Sequence, residues 1–322
     1  MTRRRRGTAW LSARSALDQA MRQRLGSDAD VDIGWVSKAG EGLDRDVFVA
    51  DVEARGANET VKGRFAALLP RRDAPPDVDD RARREVALLE GLARLDLPFE
   101  IPRWSATVEQ GDRAVLVREF LRGVPLNAGL LPADLFPPWD ITGEIAAAVH
   151  ATPTAELAEL VGGHGTRREH VEATLRELSD DLPDSVTEDA IEWIRSHLPP
   201  DDPAVLLQGD LLGQNILVDF DGYRAVIDWE YAMLGDPAYD LAIVTRGLRR
   251  PFKRSDGLQL LVDAYRRASG VELWEREIRV HELLLHIRWH QASCRGEGQH
   301  PREVTLEHLR GVLGRAARSD SE

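Results

Sequence analysis

Residues 206–230 read Leu206-Leu-Gln208-Gly-Asp210-Leu-Leu-Gly-Gln-Asn215-Ile-Leu-Val-Asp-Phe-Asp-Gly-Tyr-Arg-Ala-Val-Ile-Asp228-Trp-Glu230. Two short apolar runs, Ile216–Val218 and Arg224–Ile227, flank Asp219-Phe-Asp221-Gly222, whose Asp-Gly pair accommodates the positive φ of a tight hairpin. Such a hairpin can bring together one carboxylate, Asp210, one carboxamide, Asn215, and a second carboxylate, Asp228. Taken singly each has an ordinary use: Asp210 as a turn cap, Asn215 bonded to loop backbone, Asp228 at the start of another turn. Taken jointly they form the set that phosphoryl transfer requires, an acid to orient and deprotonate the attacking hydroxyl and oxygen ligands to hold magnesium on nucleotide phosphates. The spacing therefore assigns Asp210 to the hydroxyl, and Asn215 and Asp228 to the metal.

Outward from this stretch the chain is bipartite, with the change near Gly123. Before it, β-like runs recur at Val31–Ser37, Asp46–Ala54, Thr60–Leu69, Trp104–Glu109 and Ala114–Phe120, punctuated by glycines and the Gln110-Gly111-Asp112 turn, which predicts a small antiparallel sheet. One helix interrupts them between Val78 and Leu95, with Val86, Leu88, Leu89, Leu92 and Leu95 at helical spacing. After Gly123 helical patterns dominate, at about Trp139–Ala151, Arg167–Leu178, Glu188–His197, Tyr239–Arg246, Gly257–Ala268, Leu273–Ala292 and Val304–Ala317. The expected division is residues 1–122, including an N-terminal extension and helix over 1–26, and residues 123–322.

Composition narrows the function classes. A length of 322 residues fits one large domain or a small lobe joined to a larger one. A formal net charge of −13 disfavours nucleic-acid binding, which needs a concentrated basic surface, and suits a cationic partner better. Cys294 is the only cysteine, so no intrachain disulfide is possible and a reducing, cytoplasmic setting is expected. The Arg3–Arg6 run reads as a solvated tail, because no apolar signal-peptide core follows it. No segment has the length and apolarity of a membrane span.

The Gln208–Glu230 segment resembles the catalytic segment of the aminoglycoside phosphotransferase and choline kinase superfamily, His-Gly-Asp-x-x-x-x-Asn followed by a hairpin and Ile-Asp-Trp/Phe-Glu. The similarity continues through Gly235-Asp236-Pro237-Ala-Tyr239-Asp240-Leu241-Ala242 and, more weakly, from the Gly40 loop to about Leu285. The resemblance implies an α+β, two-lobed protein-kinase-like fold, with an antiparallel-sheet N-lobe that binds nucleotide and a larger, mainly helical C-lobe for catalysis and the acceptor. It implies an enzyme that uses ATP, or alternatively GTP, with Mg2+, to phosphorylate a hydroxyl of a small molecule. An aminoglycoside or other antibiotic is the leading acceptor class, which would make the protein a resistance factor. The alternatives are a metabolite kinase for a choline-like alcohol or sugar, and a nucleotide-binding pseudokinase without transfer activity.

By the same resemblance Gly40 and Gly42 belong to the nucleotide-covering turn. Glu85 matches the helix glutamate that pairs with a phosphate-contacting lysine, and Glu119 and Leu121 fall in the hinge that reads adenine through its backbone. Asp236 and Asp240 are expected to stabilise the following loop and helix, and Glu230 to support the acceptor region. Two departures stand out. Leu68 occupies the position of the phosphate lysine, so strand alternation leaves Lys62 or, preferably, Arg64 on the same face as the replacement. Gln208 replaces the catalytic-loop histidine, and its amide can brace the loop as donor and acceptor.

Two further clusters carry less. His286, His290 and Cys294 share one helix face at i, i+4 and i+8, a spacing that closes poorly around one zinc ion, so core or interface histidines are the preferred reading. Carboxylates crowd Ala155–Glu192, among them Glu177, Asp180, Asp181 and Asp184. They would attract a polyamine-like antibiotic by Coulomb steering, and an ordinary solvated helical surface is the equal alternative.

Overall fold

The computed structural model describes residues 3–42, 44–128, 130, 132–245 and 251–319. The chain folds into two compact units, Met1–Gly123 with Leu217–Glu230, and Val124–Ile216 with Tyr231–Glu322. It is an α+β protein with a sheet-based N-lobe and a helical C-lobe.

The first unit opens with α1 (Arg3–Leu25), so Arg3–Arg6 lie in a helix where a tail was expected. Strands β1 (Asp30–Ile33), β2 (Ser37–Glu41), β3 (Arg45–Arg55) and β4 (Thr60–Pro70) follow, then α2 (Val78–Leu92), β5 (Ser105–Gln110) and β6 (Arg113–Glu119). All pair antiparallel in the order β1-β3-β4-β6-β5, with β2 also on β3. The run Val31–Ser37, predicted as one strand, is two: the Gly34 N–H donates to Asp51 O at 2.8 Å and the chain leaves the ladder before β2 rejoins it at Ser37.

Period-2 alternation sorts the sheet's side chains onto two covered faces. Phe48, Ala50, Val52, Phe65, Ala67, Val115 and Val117 cluster with Ala13, Ala16, Leu17, Ala20 and Met21 of α1. Val49, Ala66, Leu68 and Leu116 cluster with Ala82 of α2. Each fully buried Leu or Met here contributes about 1.5–3 kcal/mol of transfer free energy, which is why both helices are fixed to the sheet.

Beyond Gly123 come β7 (Val124–Pro125), α3 (Pro138–His150), α4 (Ala158–Val161), α5 (Arg167–Ser179), α6 (Ser185–Ser196) and β8 (Val205–Leu207). The hairpin β9 (Ile216–Val218) and β10 (Arg224–Val226) belongs, from Leu217 on, to the first unit. There Glu100 exchanges backbone bonds with Arg224 and Val226 at 2.8 and 2.9 Å. Gly123, at φ 101°, packs against this hairpin so closely that a Cβ would lie 2.9 Å from Val218 O. The second unit resumes with β11 (Met233–Gly235), paired with β8, and ends with α7 (Ala238–Val244), α8 (Gly257–Ser269), α9 (Glu275–Cys294) and α10 (Arg302–Ser319).

Its core shows why α5, α6, α9 and α10 form a bundle. Val171, Leu175 and Leu178 meet Ala190, Ile191 and Ile194, Val280, Leu283, Leu284 and Ile287, and Leu309, Val312 and Ala316, each set recurring on one helix face at steps of one, three or four. Thr166 and Glu169 close a capping box at the start of α5. Among the described residues no helix is long and apolar enough to cross a membrane.

Candidate active site

In the second unit the loop after β8 is fixed by side chains on both sides of it. The Gln208 and Gly209 N–H groups donate to Asp240 Oδ2 and Oδ1, each at 2.9 Å. Asp240 and Gln208 are fully buried, and His150 Nε2 stands 3.3 Å from Asp240 Oδ2. Asp240 thus braces the preceding catalytic-type loop, whereas the sequence had suggested the loop and helix that follow. Gly209 holds φ 84°, and a Cβ there would stand 2.1 Å from Tyr231 O, so no L side chain fits.

Gln208 Oε1 accepts from the Asp210 N–H at 2.8 Å. Asn215 Nδ2 donates to Asp210 O at 2.9 Å and to Asp210 Oδ2 at 3.0 Å. The bond fixes the orientation of the Asp210 carboxylate and turns the Asn215 amide so that its oxygen points away from Asp210.

In the first unit the carboxylates lie in a cluster of arginines. Arg118 Nη1 contacts Glu85 Oε1 at 3.1 Å, and its Nη2 contacts Asp228 Oδ1 at 2.7 Å. Arg45 Nη1 stands 3.7 Å from Glu85 and 3.2 Å from Glu230. Arg81 donates to Glu230 at 2.9 Å and to Asp44 at 2.7 Å. Burial pushes the Glu85 carboxyl up to about 7 against the pull of Arg118 and Arg45. Burial likewise raises Glu230 against Arg45 and Arg81. Glu230 is therefore a member of an ion cluster. Asp228 holds φ 59°, one of three non-glycine residues with positive φ among the described residues. Such strain concentrates at functional positions.

The nucleotide-side expectations are placed as follows. Gly40 lies in β2 opposite Val47, after a bulge at Lys38, and the Gly42 N–H donates to Arg45 O at 2.8 Å; Leu43 lies outside the described residues. Glu119 ends β6, accepting from the Arg103 N–H at 2.9 Å, and Leu121 follows it in irregular backbone. Arg64 is not brought to Glu85. Its exposed side chain pairs with Asp51, its register partner on β3, at 3.0 Å, and Lys62 pairs with Glu53 in the same way. The partners of Glu85 are Arg118 and Arg45, which sequence reasoning missed. Alternation carried the signal: Arg118 continues the Ala114, Leu116 face of an apolar strand, so its charge had to be buried and paired.

Asp236 anchors a second network. Its Oδ1 accepts from Arg167 Nε at 2.9 Å and from the Ala238 N–H at 3.1 Å, and its Oδ2 is 3.0 Å from His281 Nε2. Burial alone would raise this carboxyl, but the bond from His281, with His281 and Arg167 nearby, holds it down at about 2. Beside it, His164, His170, Met233, Tyr239, His281 and Arg288 help line a cleft of about 180 Å³. Glu177, the carboxylate of this cleft, is paired with Arg288 at 2.8 Å.

On α9 the His286 and His290 side chains are buried and engaged within the protein. His290 Nδ1 lies 2.9 Å from Thr305 Oγ1 and Nε2 lies 2.8 Å from Asp184 Oδ2, while His286 packs edge-on to Trp289. Among the described residues no group of three or more His, Cys, Asp or Glu could hold a metal ion. Asn215 in the second unit carries an amide oxygen and Asp228 in the first a carboxylate oxygen, each a hard donor of the kind Mg2+ takes.

The model of the "Phosphotransferase enzyme family" matches residues 40–278. The fold is similar to that of the GDP and kanamycin complex of APH(2")-IIia, with 16% identity, 92% of this chain and 98% of that chain covered, and a TM-score of 0.66. It is similar to a thermostable mutant of aminoglycoside phosphotransferase APH(4)-Ia in ternary complex with AMP-PNP and hygromycin B, with 15% identity, 94% and 98% covered, and a TM-score of 0.63. It is also similar to the apoenzyme of macrolide 2'-phosphotransferase MphH from Brachybacterium faecium, with 23% identity, 91% and 98% covered, and a TM-score of 0.58. No curated protein matches the sequence.

Proposed function

Because the chain belongs to the phosphotransferase enzyme family, whose model spans residues 40–278, we propose that it transfers the γ-phosphoryl group of ATP to a hydroxyl of a small molecule. The observation that carries this reading is the Asp210 carboxylate, bonded to Asn215 Nδ2 on a loop whose amides are held by buried Asp240. Asp210 orients the acceptor hydroxyl and takes its proton as the new P–O bond forms and the bond to the departing nucleoside diphosphate breaks. Asn215 and Asp228 offer oxygens to magnesium, which when bound would neutralise phosphate charge. Catalysis of this kind is positioning and electrostatics, and a braced loop is what it requires. Nucleotide use is supported by the similar structures that hold GDP or AMP-PNP, and GTP is the alternative donor.

The cleft beside β11 is the candidate seat for the acceptor, since Met233 pairs with Leu207, three residues before Asp210. Its charge is balanced by the Glu177–Arg288 pair, and Asp181 and Asp184 are likewise engaged by Arg295 and His290. This favours a hydroxylated antibiotic or metabolite with few positive charges over a polycation. The test is nucleotide consumption, with ATP and with GTP, against a panel of aminoglycosides, macrolides, small alcohols and sugars. Acceptor-dependent turnover that falls about 100-fold in Asp210→Ala is the expected result. Nucleotide binding without turnover across the panel would replace this reading with a pseudokinase.

A further inference from the structure

The clamp formed by Arg118 reaches two carboxylates of unlike exposure. One amino group of its guanidinium holds Glu85, whose side chain is 1% exposed, and the other holds Asp228, whose side chain is 41% exposed. The arginine itself is 7% exposed. Its inner end is anchored in the protein, and its outer end covers an oxygen of the strained, accessible carboxylate proposed for the metal.

We propose that Arg118 is a shuttling cation that couples nucleotide to metal. Without nucleotide it occupies Asp228 and repels a divalent cation there; triphosphate oxygens draw its outer amino group away and so prepare Asp228 for the metal. The proposal rests on the phosphotransferase reading above.

Three features support it. A guanidinium and a divalent cation on the same carboxylate oxygen repel, and the Arg118 end of the pair is buried, which limits screening. Phosphate oxygens are the natural alternative partner, since the planar fork of arginine matches them in charge and geometry. Arg45, also beside Glu85, keeps that buried carboxylate compensated when the outer half of Arg118 moves. Strand register accounts for the position of the charge: Arg118 faces Ala66 across β4 and β6, and Leu116 faces Leu68, the residue standing where the resembling kinases carry lysine. The cation has moved one strand over on the same face of the sheet.

The test uses Mn2+ and ADP as probes on the full chain, by titration calorimetry, in wild type and Arg118→Gln. The double variant Arg118→Met/Glu85→Gln is run beside it, because it leaves no uncompensated buried carboxylate if the single variant folds poorly. Loss of Arg118 is expected to tighten Mn2+ binding without nucleotide by about tenfold and to weaken ADP binding in EDTA by about tenfold, the size of one charge-assisted contact. The opposite signs are the signature, since a merely structural arginine would not weaken ADP binding in a folded variant. Mn2+ affinity that stays the same or falls, or ADP affinity that does not change, overturns the proposal. If wild type binds none of ADP, ATP and GTP, the phosphotransferase reading fails with it; normal nucleotide binding with shifts of the same sign removes the Arg118 coupling alone.

Discussion

Arg167→Met is expected to destabilise the protein by about 3–5 kcal/mol, the loss associated with breaking a buried ion pair from one side. Arg167 opens α5 with its side chain 8% exposed, bonded through Nε to Asp236 at 2.9 Å and through Nη2 to Glu277 at 2.7 Å. Both acceptors are buried, so methionine would fill most of the volume while leaving two carboxylates without their shared cation. His281 still holds Asp236, whereas Glu277 keeps, among the described residues, the bond from the Trp274 N–H at 2.7 Å. Arg167→Lys should lose less, because an ammonium retains the charge but cannot reach both acids in the planar geometry of a guanidinium. Urea unfolding of the three proteins checks the ranking. A loss below about 1 kcal/mol for Arg167→Met would show that the network is no stronger than a surface ion pair.

That network also marks where sequence reading reaches its limit. The fold was legible because its signals are periodic: α2, the long strands β3 and β4, and the four bundle helices all repeat apolar residues at two or at three to four. The catalytic-type loop was legible because its residues are close in the chain, Gln208, Asp210 and Asn215 falling within one turn and its flank. The cation opposite Glu85 was not. Arg64 and Arg118 are both arginines on neighbouring strands, and only the register tells them apart: Arg64 faces Asp51 on an exposed rim, and Arg118 faces Ala66 inside. Register is a pairing between distant segments, and an alternation rule applied to one strand leaves it open. The role of Asp240 was hidden for the same reason, since the amides it holds lie about thirty residues back along the chain.

Between pH 7 and pH 5 the second unit is expected to lose about 4 kcal/mol of stability through two buried histidines, His170 and His286. Burial is the leading cause at both. It lowers His170 to about 3, helped by His281, His164 and Arg288 against the opposing pull of Asp236, and lowers His286 to about 4, helped by His308 and Arg315. The sign follows from the folded values lying below the unfolded value of about 6.5. Above pH 6.5 neither state binds these protons. As pH falls through 6.5 the unfolded chain takes them up and the folded chain does not, so stability declines until pH reaches the folded values. At pH 5 each histidine accounts for about 2 kcal/mol. Glu85 acts in the opposite direction throughout the window, because its folded value near 7 lets the native protein bind a proton before the unfolded chain does. The comparison that isolates the histidines is therefore wild type against His170→Asn/His286→Leu. Asparagine keeps an acceptor for the Asp236 N–H, which His170 Nδ1 now receives at 3.1 Å, and leucine suits the buried site of His286. The double variant should show a shallower fall in unfolding free energy from pH 7 to pH 5, with the contribution of Glu85 common to both proteins. Parallel pH profiles would mean that the two rings accept protons in the native state, and the account of neutral, buried imidazoles would be wrong.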